Sequence, residues 1–174
     1  MKKSYIIKPI FLFSLLTVLF LSCEKEIIEP ASFVDLSITW TSIAADKQSE
    51  VNQYFSFSDL SAGAESTQWT IPADAFFLEG PIPNNLDNHD AYIVNPGETV
   101  SFDKTIHVLW TKGDTASLVN YRGVFSDSTS FDFPAYWDSE AGEAHIDTIE
   151  TQLIDGQWIA DYTFLIDVFD TIVA

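Results

Sequence analysis

The chain has 174 residues, of which 47% are apolar and 14% aromatic, and its formal net charge at pH 7 is −18. This composition differs from the low-hydrophobicity signature of disordered chains, and the length suits one ordinary domain with a real core, or one small domain plus part of another. The charge argues against nucleic acid as a partner, because phosphate binding needs lysine and arginine to displace counterions.

The amino-terminal segment has the organisation of an export signal. Lys2, Lys3 and Lys8 precede an apolar run at residues 10–21. This run is too short to span a bilayer but suits the core of a signal peptide. The run ends in Leu19-Phe20-Leu21-Ser22-Cys23, which resembles the lipobox of bacterial lipoproteins. The resemblance implies cleavage after a signal peptide of residues 1–22 and diacylglycerol on the Cys23 thiol. The alternative is an uncleaved anchor with an incidental cysteine.

The segment after Cys23 is predicted to be a short tether, residues 23–32. Its acidic beginning resembles the surface-export signal of Bacteroidota lipoproteins, and this resemblance implies a lipid-anchored protein of the outer membrane or cell surface. Acyl chains on Cys23 would provide the anchor, since each buried methylene contributes about 0.8 kcal/mol. Because Cys23 is the only cysteine, no internal disulfide forms and the fold must rely on its core.

The exported part shows apolar and polar residues in alternation, which is typical of β-strands. The clearest run, residues 98–110, places Val100, Phe102, Ile106, Val108 and Trp110 on one predicted core face with Lys104 as its only polar member. The same pattern predicts core positions for three further tryptophans, namely Trp40, Trp69 and Trp158.

Turn signals separate these runs. Asp155-Gly156 lies between two alternating segments and predicts a type I′ hairpin turn. Residues 80–97 are predicted to form a long loop, and residues 127–147 an irregular, acidic stretch. Several short strands with turn signals indicate an all-β protein, an antiparallel β-sandwich.

Residues 54–71 resemble the opening of a PKD domain, in which a Phe-x-Asp-x-Ser turn, here Phe57 to Ser61, precedes a strand centred on tryptophan, here Trp69. The resemblance covers residues 33–126 and implies an Ig-like sandwich that serves as a spacer or binding module in bacterial surface proteins and degradative enzymes. The family's Gly-Asp-Gly turn after the tryptophan is absent. Residues 127–174 are expected to be additional strands of the same sandwich or the start of a further module.

No motif for catalysis is present, so the chain is not expected to be an enzyme. The three histidines, His89, His107 and His145, are predicted to be unrelated surface residues. Acidic loops offer carboxylates that could bind calcium, and the candidate ligands are Asp87, Asp90, Asp127 and Asp132. The alternative is that these carboxylates are hydrated at the surface and bind no metal. No other cofactor is expected.

Glycan binding is the second candidate chemistry, since sugars stack on exposed aromatic rings beside carboxylates. Tyr136, Trp137 and Asp138 follow a proline and lie outside clear alternation, so they are the candidate platform. The alternative is that Trp137 plugs one end of the core. The sequence thus predicts a non-catalytic surface module that binds or spaces, with a polysaccharide or a surface protein as partner. The rival prediction is an accessory part of a hydrolase whose catalytic domain lies beyond Ala174.

Overall fold

The computed structural model describes residues 33–41, 47–83 and 86–170, and for Thr115, Tyr136 and Trp137 it describes the backbone alone. These residues belong to one compact unit. Its strands are β1 (Ile38–Trp40), β2 (Gln48–Glu50), β3 (Tyr54–Asp59), β4 (Ala64–Thr70), β5 (Ala75–Leu78), β6 (Val100–Ser101), β7 (Thr105–Trp110), β8 (Asp114–Phe125), β9 (Ser130–Asp138), β10 (Glu143–Glu150), β11 (Gln152–Ile154) and β12 (Gln157–Phe169), with a single 3-10 turn at Asp90–Tyr92.

Two sheets form the body of the molecule. The first has the order β1-β3-β7-β5, and the second has the order β11-β12-β8-β4-β6, with β2 also paired to β12. Every pairing is antiparallel except that of β2 with β12, which is parallel. The predicted all-β sandwich is therefore confirmed. The strand order β1-β3-β7-β5 within the first sheet corresponds to the A-B-E-D sheet of an Ig-type sandwich. In the second sheet, β4, β8 and β12 correspond to strands C, F and G.

The core is built around the indole of Trp69 on β4. Its side chain is 0% exposed, and its ring centroid lies 4.9 Å from that of Tyr121 and 5.5 Å from that of Phe57. Phe164 on β12 closes the group, 5.2 Å from Phe57. In antibody domains this strand-C tryptophan packs on a disulfide between strands B and F. Here the rings of Phe57 on β3 and Tyr121 on β8, the corresponding strands, pack on Trp69 instead.

A buried carboxylate ties the two sheets together beside this tryptophan. Asp59, at the end of β3, is 2% exposed. Its Oδ2 accepts hydrogen bonds from the hydroxyls of Thr67 and Tyr121, the latter at 3.2 Å, and its Oδ1 accepts one from the Ser61 amide at 2.9 Å. Burial, and then the charge of Asp59, raise the pKa of Tyr121, which keeps the phenol protonated as a donor. A Cβ at Gly123 would collide with that hydroxyl, so glycine is required there.

The prediction of an irregular stretch at residues 127–147 is wrong, because β9 and β10 form a long hairpin there. Phe131, Phe133 and Ile149 face the body, but Pro134 and the intervening acids obscure their alternation in the sequence. This hairpin is a separate two-stranded sheet. It is attached through side chains, for example the edge-to-face contact of Phe133 with Trp40 at 5.4 Å.

Lys47 also links the hairpin to the body. Its Nζ donates to the carbonyl of Ala135 at 3.2 Å and lies 5.5 Å from the ring centroids of both Trp40 and Phe133. Burial lowers the pKa of Lys47, whereas the carboxylate of Asp147 raises it. These contacts fix β9 and β10 against β1 and β2 without any shared strand pairing.

The predicted hairpin turn at Asp155-Gly156 is confirmed. Asp155 and Gly156 have φ angles of 50° and 84°, as the predicted type I′ turn requires, and they join β11 to β12. Among residues 33–41, 47–83 and 86–170 no helix is long and apolar enough to cross a membrane.

Candidate functional site

The candidate site is a groove between the ends of β5 and β7, which belong to the first sheet, and the end of β6, which belongs to the second. Its main part has a volume of about 390 Å³. A neighbouring depression of about 290 Å³ shares five of its lining residues and continues it toward β6. We refer to the two together as the β5–β6 groove; the shared residues are Phe77, Val94, Asn95, Ser101 and Asp103.

One wall of the groove is formed where the chain crosses from one sheet to the other. β6 pairs with β4, whereas β7 pairs with β3 and β5, so residues 102–104 pass between the sheets. The Ser101 hydroxyl donates to Asp103 Oδ2 at 3.0 Å, and the Asp103 amide donates to Ser101 Oγ at 3.2 Å, which fixes this crossing. Phe102 is left 70% exposed beside the groove.

The crossing overturns part of the prediction for residues 98–110. Ile106, Val108 and Trp110 are buried as expected, but Val100 is 37% exposed and Phe102 is 70% exposed. The run comprises two strands in different sheets, so its two halves do not share a face. The signal that could have revealed this break is Lys104, the charged residue in the middle of the predicted core face.

The opposite wall is the loop that follows β5. The Val94 amide donates to the Phe77 carbonyl at 3.0 Å, and the Glu79 amide donates to the Tyr92 carbonyl at 3.0 Å. These bonds fold the loop back along the edge of β5, where Asn95 then adopts a left-handed φ of 44° to begin a turn. The carboxylate of Glu79 and the amide of Asn95 therefore line the groove.

The side of the groove on β7 carries an imidazole. Nδ1 of His107 is 2.6 Å from Ser56 Oγ, and its ring contacts Tyr54 edge-to-face at 5.7 Å. Burial lowers the pKa of His107, so the ring is neutral at neutral pH. Since Ser56 pairs with Nδ1, the ring would meet a ligand in the groove through Nε2.

The groove has the chemistry of a site for a ligand rich in hydroxyl groups. The carboxylates of Glu79, Glu98 and Asp103 and the amide of Asn95 can each accept a hydrogen bond from a hydroxyl. The exposed ring of Phe102 offers an apolar surface next to them. Concave sites that combine apolar surface with a few polar groups are typical ligand pockets.

The predicted glycan platform lies elsewhere, at the tip of the β9–β10 hairpin. The side chains of Tyr136 and Trp137 are outside the described set, so their stacking role stays a prediction. Asp138 has a local role, because its Oδ1 accepts hydrogen bonds from the amides of Glu140 at 2.9 Å and Ala141 at 3.0 Å. These backbone hydrogen bonds lower the pKa of Asp138 and hold the hairpin turn.

The structure places the four candidate calcium ligands at exposed positions, with Asp87 and Asp90 in the loop between β5 and β6 and Asp127 and Asp132 near the turn from β8 to β9. Asp90 Oδ2 accepts from Asn88 Nδ2 at 3.1 Å, Asp127 Oδ1 from the Ser128 amide at 2.7 Å, and Asp132 Oδ1 from the Thr148 hydroxyl at 2.6 Å. The fourth candidate, Asp87, lies in the loop before the 3-10 turn. Within the described part of the chain no three His, Cys, Asp or Glu residues are grouped as a metal site requires. Calcium binding stays a prediction.

The remaining predicted residues, Cys23 and the three histidines, differ in outcome. Cys23 lies outside the described residues. The expectation that His89 is a surface residue is wrong, because it is 2% exposed and its Nδ1 lies 2.9 Å from the Asn52 carbonyl. The long loop folds over it, and no local sequence pattern indicates this burial. His145 is exposed as expected, and His107 is half-buried.

Comparison of this chain with protein families, with curated proteins and with solved structures finds no match.

Proposed function

We propose that this chain is a non-catalytic, lipid-anchored binding module of the bacterial cell surface that takes a segment of polysaccharide in the β5–β6 groove. The observation that carries the proposal is the exposed ring of Phe102 in the smaller part of the groove, about 290 Å³, which adjoins the main part of about 390 Å³ and has carboxylate and amide groups on its walls. A rigid sandwich that presents such a groove between loops is a common basis for binding.

The charges of the groove narrow the polysaccharide class. Three carboxylates line it, on a chain of net charge −18. A sulfated or uronic-acid polymer would be repelled at this surface. A neutral or basic glycan is therefore the expected ligand, with its hydroxyl groups donating to Glu79, Glu98 and Asp103.

Glycan binding is expected to weaken about tenfold when Phe102 is replaced by alanine, because losing the apolar contact of one ring removes about 1.4 kcal/mol. The measurement is a glycan array with the full-length protein in detergent, followed by titration of the best neutral ligand. Phe33→Ala is the matched control, since Phe33 is 75% exposed and does not line the groove. Equal affinities of the two variants, or an array without any bound neutral or basic glycan, would contradict the proposal.

The anchor is tested separately through Cys23. We expect the native protein to sediment with membranes and to carry acyl chains on an amino-terminal cysteine, as mass spectrometry would show. Cys23→Ser removes the thiol that accepts diacylglycerol, so the unacylated protein should lose this mature amino terminus and its lipid mass. An intact Met1 with a free Cys23 thiol in the native protein would rule out the lipoprotein assignment.

A further inference from the structure

The free edge of β1 carries a second candidate site. β1 is the outermost strand of its sheet and pairs only with β3 among the described strands. The Thr41 amide donates to the Ser56 carbonyl at 2.9 Å, and the Leu60 amide donates to the Ser37 carbonyl at 2.8 Å. The odd-numbered residues of this segment therefore direct their backbone groups toward β3, as alternate residues of an antiparallel pair do.

The even-numbered residues of the same segment direct their backbone groups away from β3. Leu36 shows this orientation, because its amide donates to the Thr129 hydroxyl at 3.2 Å, on the side of the β9–β10 hairpin. By the same alternation, the amides and carbonyls of Ile38 and Trp40 face that side, where no backbone group in the described part of the chain pairs with them. An unpaired row of this kind is a template for another strand.

An apolar groove lies along this free edge. It has a volume of about 160 Å³ and is bounded by β1 and β9, so we name it the β1–β9 groove. Its lining residues are Ile38, Thr39, Trp40, Phe131, Asp132, Phe133 and Pro134. Pockets for drug-sized ligands run to about 300–1,000 Å³, so this volume corresponds to one apolar side chain.

The indole of Trp40 lines the groove and has no hydrogen-bond acceptor among the described residues. Its side chain is 8% exposed, and its buried Nε1 donates to no group in that part of the chain. A buried donor without an acceptor is costly, of the order of 1–3 kcal/mol, and native structures contain few of them. A carbonyl group brought into the groove by a ligand would remove this cost.

The two sides of the groove are not equivalent. On β9, Pro134 has no amide hydrogen and cannot donate to an added strand. On β1, the amides and carbonyls of Ile38 and Trp40 have no backbone partner among the residues that the structure describes. An incoming strand would therefore pair with β1, and its side chain would pack against the rings of Phe131 and Phe133 on the other wall.

We propose that the β1–β9 groove binds an extended segment of a partner protein by strand addition to β1, with one apolar side chain in the groove and a flanking lysine or arginine beside Asp132. The basic residue follows from charge complementarity: Asp132 is exposed on the groove wall, and the chain has a net charge of −18. Strand addition supplies main-chain hydrogen bonds, and the pocket supplies selectivity for the side chain. This site is independent of the β5–β6 groove and of any glycan.

The test uses a phage-displayed library of random octapeptides selected on the full-length protein and depleted on its Asp132→Lys variant. We expect enriched peptides to contain an apolar residue next to lysine or arginine, and to bind wild-type protein at least tenfold more tightly than Asp132→Lys. Glu65→Lys makes the same charge change at an exposed residue outside the groove and should bind like wild type. Circular dichroism confirms that both variants fold.

N-methylation of the enriched peptide distinguishes strand addition from nonspecific attraction. Only one edge of the peptide pairs with β1, and alternate residues of a strand point their amides to the same edge. Methylation of the amides on the pairing edge should abolish binding, whereas methylation of the amides on the opposite edge should preserve it. The proposal is overturned if no peptide is enriched, if both methylated forms bind alike, or if Glu65→Lys weakens binding as much as Asp132→Lys. It is also overturned if the groove is filled by a second copy, seen as a dimer that the peptide dissociates.

Discussion

Replacing Asp59 with alanine is expected to lower the free energy of unfolding by about 3–5 kcal/mol. The substitution removes the acceptor of three donors that are buried or nearly so, namely the hydroxyls of Thr67 and Tyr121 and the amide of Ser61. Each unsatisfied donor costs about 1–3 kcal/mol, and the relief from burying a carboxylate offsets only part of the sum. Because the three donors come from different strands and a turn, the substitution should lower the stability of the whole domain and not of one segment alone.

Urea unfolding followed by tryptophan fluorescence measures this difference. Asp127→Ala is the matched control, since Asp127 is exposed and, within the described residues, its carboxylate accepts a hydrogen bond from the amide of the next residue alone. The unfolding free energy of this variant should change by less than about 0.5 kcal/mol. Asp59→Asn retains one carbonyl acceptor and should fall between the two. An Asp59→Ala protein as stable as Asp127→Ala would show that the buried hydrogen bonds do not hold the sheets together.

Replacing Trp69 with alanine is expected to cost about 3–5 kcal/mol of stability, because it leaves a cavity among three aromatic rings. The lost neighbours are Tyr121 at 4.9 Å, Phe57 at 5.5 Å and Phe164 at 6.3 Å between ring centroids. The Trp69 Nε1 donates to no acceptor among the described residues, so the expected loss of stability comes from packing.

Two variants separate packing from other effects in the same urea experiment. Trp69→Phe keeps most of the ring and removes the unsatisfied N–H, so it should cost much less than Trp69→Ala. Trp158→Ala deletes an equally large side chain that is only half-buried near the start of β12 and should also cost less. If Trp158→Ala were the more destabilising of the two alanine variants, the core would not be centred on Trp69.

The strand faces were predictable where one strand stays in one sheet. Phe55 and Phe57 on β3, and Phe164 and Ile166 on β12, are buried as their alternation predicts. Alternation reports on burial directly, since successive side chains of a strand point to opposite faces. The same signal was misleading at 98–110, because the period continues across Phe102 while the chain changes sheets.

The candidate site was not predictable in the same way. Phe102 belongs to an apolar pattern, and only the crossing between sheets exposes it next to Glu98 and Asp103. His89 shows the opposite case, a polar residue in a loop that becomes buried when the loop folds back. Both outcomes depend on contacts between residues far apart in the chain, whereas local patterns report only on neighbours.

The parallel pairing of β2 with β12 has a mechanical consequence. Gln48, Ser49 and Glu50 lie opposite Asp167, Val168 and Phe169, with further hydrogen bonds at both ends of the pair. A pull applied to the chain before β2 and after β12 would slide these strands past each other, so that all their hydrogen bonds bear the load at once. Such a joint resists stretching better than a pair of strands that unzips bond by bond.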